Sequence, residues 1–408
     1  MSGRSSLIFA VVLAVSLVGL WGCGSDETST NRNVLVKGNN QFAFDLYGQL
    51  REEGPQKNTF FSPVSISIAM SMVQAGARGS TADEIAQAMH FTLPQSELHP
   101  ACRSLLKISQ AQDICELDVT NQLWAHQDYK FLDSFLNITN NQYGAKCGLV
   151  DFVSDRDGAM RKINSRIENQ TRGRIGNQIK PYMLDGTTRL VLVNTIYFKA
   201  QWSEPFLEQD TSSAPFYSEE GESHVKLMSM LDHSCKYAEI DGMDMQVLEK
   251  PYDESFDLSM MILLPKREPG SLARLEAILT EEKLAVYSKQ LRSCEVKIAL
   301  PKFRLESNYS LEKPLSHLGI RSAFDRGADL SGMDGSHNLF LQFAIHKTFI
   351  SVDEQGTEAA AATVIGVGMG GPPPKPVSAE FRADHPFVFL IRDNRTGSIL
   401  FLGRFCGP

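Results

Sequence analysis

Gly356-Thr357-Glu358-Ala359-Ala360-Ala361-Ala362-Thr363 is the stretch on which the reading of this chain turns. It follows a strongly patterned strand, Leu339 to Val352, and opens a long segment with no helix or turn grammar. Gly366-Val367-Gly368-Met369-Gly370-Gly371 then leads into Pro372-Pro373-Pro374. Ordinary loops are short and polar, and the exceptions are functional or disordered. This segment is long and made of small apolar residues, which is the composition of a strand not yet used.

Side chains alternate faces along a strand. If Thr357 faces inward, so do Ala359, Ala361, Thr363, Ile365 and Val367, all small or apolar. The opposite set is Glu358, Ala360, Ala362, Val364, Gly366 and Gly368, so the only charge stays in water. An inward charge would be buried unpaired, a cost of several kcal/mol. Extended at ~3.3 Å per residue, Thr357 to Gly370 reaches roughly 46 Å, enough to cross a whole sheet.

Around this segment lie 408 residues, 42% hydrophobic and 22% charged, a globular composition able to bury a large core. A net charge of -8 argues against a nucleic-acid partner, which usually needs a basic face. Arg4 followed by the apolar run Leu7 to Leu20 reads as an export signal, too short to span a bilayer comfortably. Leu20-Trp21-Gly22-Cys23 resembles a bacterial lipobox with Cys23 as the lipidated first mature residue, although Trp21 stands where a small residue is expected. A plain signal peptide cut nearby is the alternative. The expected division is a signal peptide over 1–22, a flexible polar tether over 23–33 and one large domain over 34–408. A lipid on Cys23 would be the only membrane attachment, so the chain is placed in the extracellular space or a bacterial envelope. Cys102, Cys115, Cys147, Cys235, Cys294 and Cys406 are scattered, with no CxxC and no histidine at metal spacing. They read as buried thiols or one or two optional bridges, and no metal or cofactor is expected.

Val34 to Leu50 has helical spacing. Ser62-Pro63 starts a nearly all-apolar, hence buried, helix ending at Gly76. Ser80 to His90 reads as a short helix capped by Ser80 or Thr81, and Asp155 to Thr171 as an amphipathic one. Leu190 to Phe198 is too apolar for an edge strand. Leu258 to Leu264, Phe387 to Ile391 and Ile399 to Phe405 are further strands. Early helices and late strands, without βαβ alternation, predict an α+β fold with large antiparallel sheets.

Six motifs then fall into one order. They are Phe61-Ser62-Pro63-Val64-Ser65-Ile66, Asn194-Thr195-Ile196-Tyr197-Phe198-Lys199 leading to Trp202, and Leu300-Pro301-Lys302-Phe303. Ala344-Ile345-His346-Lys347, Asp353-Glu354-Gln355-Gly356-Thr357-Glu358-Ala359-Ala360 and Asp384-His385-Pro386-Phe387-Val388-Phe389 complete the set. Together they make the chain from about Val34 to Pro408 resemble a serpin. The resemblance implies three sheets, about nine helices and an exposed reactive-centre loop, here about 356–380. It also implies suicide inhibition: a serine protease attacks the loop, forms an acyl-enzyme, and is trapped when the cleaved loop inserts into the main sheet. The protein is then a monomeric protease inhibitor, not an enzyme, with target serine proteases as covalent partners.

Counting along the family pattern puts the cleaved bond at Gly370–Gly371, with Met369–Gly370 the competing choice. No Arg or Lys lies between Gly356 and Pro374, which favours elastase-like or chymotrypsin-like targets, with subtilisin-like and some cysteine proteases also open. A non-inhibitory carrier role is the rival reading. Family matching makes Glu354, Gly356, Thr357, Glu358, Ala359, Ala360, Ala361, Ala362 and Thr363 the hinge. It makes Ser62, Ser65, Asn194 and His346 a buried "shutter", and Trp202 and Lys302 the "breach" where insertion begins, with Glu354 the partner of Lys302. A Ser-Asn-His set could also suggest a hydrolase, but no G-x-S-x-G elbow is present. Only Arg103 and Lys107 occupy the stretch where glycosaminoglycan-binding relatives are basic, so heparin activation is not expected.

Overall fold

The computed structural model describes residues 23–110, 116–145, 147–170, 173, 176, 179–240, 242–252, 258–357 and 379–408. Within them the chain forms ten α-helices, three short 3-10 turns and three sheets. The fold class and the three sheets agree with the sequence reading, and the helix count exceeds it by one.

Helix α1 (Cys23–Glu52) is longer than expected. Residues 23–33, read as a flexible tether, form its first turns. After Gly24 nothing in that segment stops a helix propagating backwards from Val34. Arg32 donates to Ser29 Oγ at 3.4 Å, three residues earlier on the same face. Helix α2 (Pro63–Gly76) begins as predicted, with Ser62 as N-cap accepting the Ser65 amide at 3.3 Å and proline at the first position. Every residue of α2 is buried, which is why its sequence carries no charged residue. Helix α3 (Gly79–Ala88) has Arg78 at its N-cap position, without a side-chain cap bond, and not Ser80 or Thr81. Thr81 is occupied elsewhere, accepting the Asp329 amide at 3.0 Å, and Glu84 takes the amides of Arg321 and Ser322.

The main sheet has six strands, ordered Phe303–Ser310, Leu341–Asp353, Gly356–Thr357, Leu190–Gln201, Glu116–His126, Gly148–Val150. It is mixed where an antiparallel sheet was expected. Its two long central strands, Leu341–Asp353 and Leu190–Gln201, run parallel from Leu341↔Leu190 to Phe349↔Tyr197. Parallel pairing needs cover on both faces, and both strands are almost wholly buried, in line with their continuous apolar sequences. Beyond Phe349 and Tyr197 the strands part. The two-residue strand Gly356–Thr357 fills the gap, antiparallel to both: Thr357 faces Val352 and Ala200, Gly356 faces Asp353 and Gln201.

A seven-stranded sheet, running from Thr59–Phe61 to Arg292–Ser293 and including Ile399–Phe405 and Phe387–Asp393, packs behind α2. Phe60, Phe389 and Phe401 stack with centroids 5.1–5.7 Å apart in this layer. A four-stranded sheet (Ala379–Arg382, Val296–Pro301, Gly221–Asp232, Thr211–Ser218) caps one end.

Candidate functional site: a poised opening in the main sheet

Gly356 sits where the chain reverses into the sheet. Its φ is +150°, and a Cβ there would lie 2.1 Å from the Ala200 carbonyl oxygen, so only glycine fits. Thr357 is 0% exposed and its Oγ1 lies 2.7 Å from the Tyr252 hydroxyl. Tyr252 stacks on Trp202 with centroids 4.5 Å apart and planes at 6°. The Trp202 indole donates to Asp353 O at 3.1 Å, and its amide donates to Gln355 O at 2.9 Å. Trp202 thus holds both ends of the turn that delivers Thr357 between the strands.

Glu354 anchors the same turn. Lys302 Nζ lies 2.7 Å from its Oε2, and Thr211 Oγ1 donates to its Oε1 at 2.9 Å. Burial works against the Glu354 charge, but the bonds from Lys302 and Thr211 hold its carboxyl below the usual range. Lys302 is about half-exposed, so the pair tunes the turn and does not dominate its stability.

The shutter residues meet further down. Ser62 N–H donates to His346 Nε2 at 3.0 Å, and an amide can only donate, so Nε2 is unprotonated. His346 Nδ1–H then donates to Asn194 Oδ1 across the parallel pair. Asn194 Nδ2 donates to Ser65 Oγ at 2.6 Å and to Asn121 Oδ1. Ser62 Oγ donates to Leu400 O at 2.7 Å. Complete burial pushes the His346 imidazole down to about 3, keeping it neutral. Among the described residues no hydroxyl is aimed at His346 Nε2, which accepts the Ser62 amide, so the cluster lacks the nucleophile–base contact that hydrolysis needs. It ties α2 to three strands and to the sheet behind.

Sequence reading missed several partners: Asn121 and Tyr252, which complete the two clusters, and an ion pair beneath Trp202. Lys250 and Asp232 are both 0% exposed by side chain and are bonded to each other. Lys250 Nζ also donates to Glu204 O at 2.9 Å and sits 5.4 Å from the Trp202 ring centre. Despite burial, Lys250 and the Ser234 bonds keep the Asp232 carboxyl below its usual range. Nothing in the spacing of 232 and 250 marks a pair, and Lys250 lies in a strand, Met245–Pro251, that also carries Gln246 and Glu249, so its charge did not stand out.

Cys102, Cys147, Cys235, Cys294 and Cys406 are free thiols, while Cys115 lies outside the described residues. Residues 1–22 and 358–378 lie outside them too. That leaves the signal segment, Glu358, Ala359, Ala360, Ala361, Ala362, Thr363 and both candidate bonds, Gly370–Gly371 and Met369–Gly370, without a structural account.

The family model described as Serpin (serine protease inhibitor) matches residues 37–408, and the chain belongs to the serpin family. It is 40% identical to the leukocyte elastase inhibitor of Bos taurus over 382 residues, 92% of this chain and 99% of that one. The human leukocyte elastase inhibitor is 40% identical over 381 residues, with the same coverage. Among solved structures, uncleaved ovalbumin superposes with a TM-score of 0.84 at 32% identity, covering 92% of this chain and 100% of ovalbumin. Human thyroxine-binding globulin complexed with thyroxine gives 0.83 at 32% identity, covering 93% and 99%. The chain is therefore a member of a protease-inhibitor family and not an enzyme. These relatives are animal proteins and give no support to the bacterial lipoprotein resemblance read from Leu20-Trp21-Gly22-Cys23.

Proposed function

We propose that this serpin is a suicide inhibitor of elastase-like and chymotrypsin-like serine proteases. The observation that carries the proposal is the position of Gly356–Thr357, paired on both sides between the central strands with Thr357 buried. Continuing that register, each loop residue steps down both strands together. Ala359 would stand opposite Ile350 and Phe198, and Thr363 opposite His346 and Asn194. Gly368 would reach Leu341, where the strand ends. Because His346 already faces Asn194, one inserted residue meets both at one level, and insertion proceeds by replacing the His346–Asn194 bond. Thr363 brings a hydroxyl to that level, able to re-satisfy both polar groups. In this reading Glu354 and Gly356 through Thr363 act as hinge, Trp202 and Lys302 as the entry point, and Ser62, Ser65, Asn194 and His346 as the lock.

Target class follows from the loop and from the relatives. No Arg or Lys lies between Gly356 and Pro374, Lys375 beyond them is followed by Pro376, and two relatives are named for leukocyte elastase. The protein acts as a monomer through a covalent acyl complex. Export by the 1–22 segment, with or without a lipid on Cys23, belongs to the same proposal; mass spectrometry of the secreted chain's N-terminus tests it. The rival is a binding serpin, as thyroxine-binding globulin is by its name. Incubating the full chain with elastase, chymotrypsin, subtilisin and trypsin separates them. An inhibitor gives a complex that survives SDS with at least one of the first three; a binding serpin is cut by all without a complex.

A further inference from the structure

Cys235 and Cys294 are far apart in sequence but adjacent across two strands. The strands Lys236–Ile240 and Arg292–Ser293 are antiparallel, with Tyr237 opposite Arg292 and Lys236 opposite Ser293. The next pair in that register is Cys235 and Cys294. Cys235 Sγ lies 3.7 Å from the Cys294 carbonyl oxygen, so the two strands stay close there. Directly opposed residues project to the same face. Lys236 and Ser293 are both exposed, which turns the next pair inward, and both cysteines indeed pack against the core. Opposed antiparallel residues have Cα atoms about 4.5 or 5.5 Å apart. Both spacings fall within the roughly 4.4–6.8 Å that a disulfide tolerates.

We propose that Cys235 and Cys294 form a redox-sensitive disulfide site, closed by thiol–disulfide exchange with a low-molecular-weight disulfide such as oxidised glutathione. The order of attack follows from exposure. Cys294 is partly exposed and Cys235 is fully buried, so Cys294 reacts first. Its thiolate attacks one sulfur of oxidised glutathione, breaking that S–S bond, forming a mixed disulfide and releasing one glutathione thiolate. The Cys235 thiolate then attacks Cys294 Sγ, forming the protein disulfide and expelling the second glutathione. Two protein thiols are oxidised, one glutathione disulfide is reduced, and the two thiol protons pass to the released thiolates. Burial, reinforced by Asp232, pushes the Cys235 thiol up to about 12, so the second step is slow.

The site has a structural consequence. The Cys235 amide donates to Asp232 Oδ1 at 3.0 Å, and Asp232 pairs with Lys250 under Trp202. A closed bridge therefore fastens the turn carrying Asp232 to the neighbouring strand and staples the corner beside the entry point. It also encloses a long loop, which constrains the unfolded chain.

The test uses the full chain reduced, then incubated with oxidised glutathione, quenched by alkylation and mapped by non-reducing digestion. The expected result is loss of about 2 Da and one linked peptide pair containing Cys235 and Cys294. Passage through a Cys294–glutathione adduct should be visible, its closure quickening about tenfold per pH unit above neutrality. Cys235→Ser should halt at that adduct, and the bridged protein should melt about 5 °C higher than the reduced one. A stable adduct in the unmutated chain overturns the proposal, as does linkage to another cysteine or full alkylation of both thiols. None of these readouts depends on inhibitory activity.

Discussion

The Tyr252 hydroxyl and Thr357 Oγ1 lie 2.7 Å apart, both residues fully buried, at the point where the two central strands separate. The first residue of the loop to enter the sheet is thus already bonded to its floor. A charge at that position would be buried in place of a residue that is 0% exposed. Thr357→Arg should leave the loop cleavable but stall insertion. We expect the moles of inhibitor consumed per protease trapped to rise about tenfold or more, from the cost of a buried unpaired charge. Titration against elastase measures this; full trapping at unchanged stoichiometry would refute the inward phase of Thr357.

Alternation can be tested with one residue type at neighbouring positions. On the proposed insertion Ala360 falls in the outward set and Ala361 in the inward set. Ala360→Glu should retain SDS-stable complex formation, and Ala361→Glu should turn the protein into a substrate. Equal behaviour of the two variants would contradict insertion along the register set by Gly356–Thr357.

Acid should loosen the lock. His346 is held neutral at about 3 in the folded protein, below the ordinary value near 6.5. Below that ordinary value the unfolded chain binds a proton that the folded one does not, so stability rises with pH there. The contribution is fully present above about pH 6.5 and is lost as pH falls toward 3. His99, pushed down to about 4 by burial, acts in the same direction. Together they should lower stability by several kcal/mol between pH 6.5 and 4, read from urea midpoints. His346→Gln should flatten part of that slope.

The buried Lys250–Asp232 pair predicts an asymmetry between single and double substitution. Asp232→Ala leaves an ammonium buried without a counter-charge and should cost about 3–5 kcal/mol. Replacing both residues, as Asp232→Leu with Lys250→Met, should recover much of that loss. Equilibrium denaturation of the three proteins decides it. A double variant as unstable as the single one would show that Lys250 stabilises mainly through Glu204 and Trp202.

What could be read in the sequence was what depends on local pattern. Ser62-Pro63 announced a helix start, and fourteen positions without a charge announced a buried helix. Leu190 to Phe198 announced an interior strand. Partnership across long separations was not legible from pattern. Asn121 meets Asn194 and Tyr252 meets Thr357 only because the sheet brings them together, and no spacing records that. The parallel direction of the central pair was hidden for the same reason, since apolar runs state burial and not polarity of the chain. Residues 23–33 continue helix α1, since a polar segment without a stop signal can extend a helix as readily as a coil.

The pairing of Gly356–Thr357 with both central strands turns the main sheet into a measuring device. Strand geometry counts residues in twos. On the proposed insertion, adding or removing a single residue just after Thr357 would exchange the two faces of everything that follows and carry Thr363 off the His346–Asn194 level. Adding or removing two would keep the faces but shift where the protease comes to rest by about 7 Å. The length of this loop is therefore set by arithmetic as much as by chemistry. Variation in it should be tolerated in even steps and rejected in odd ones.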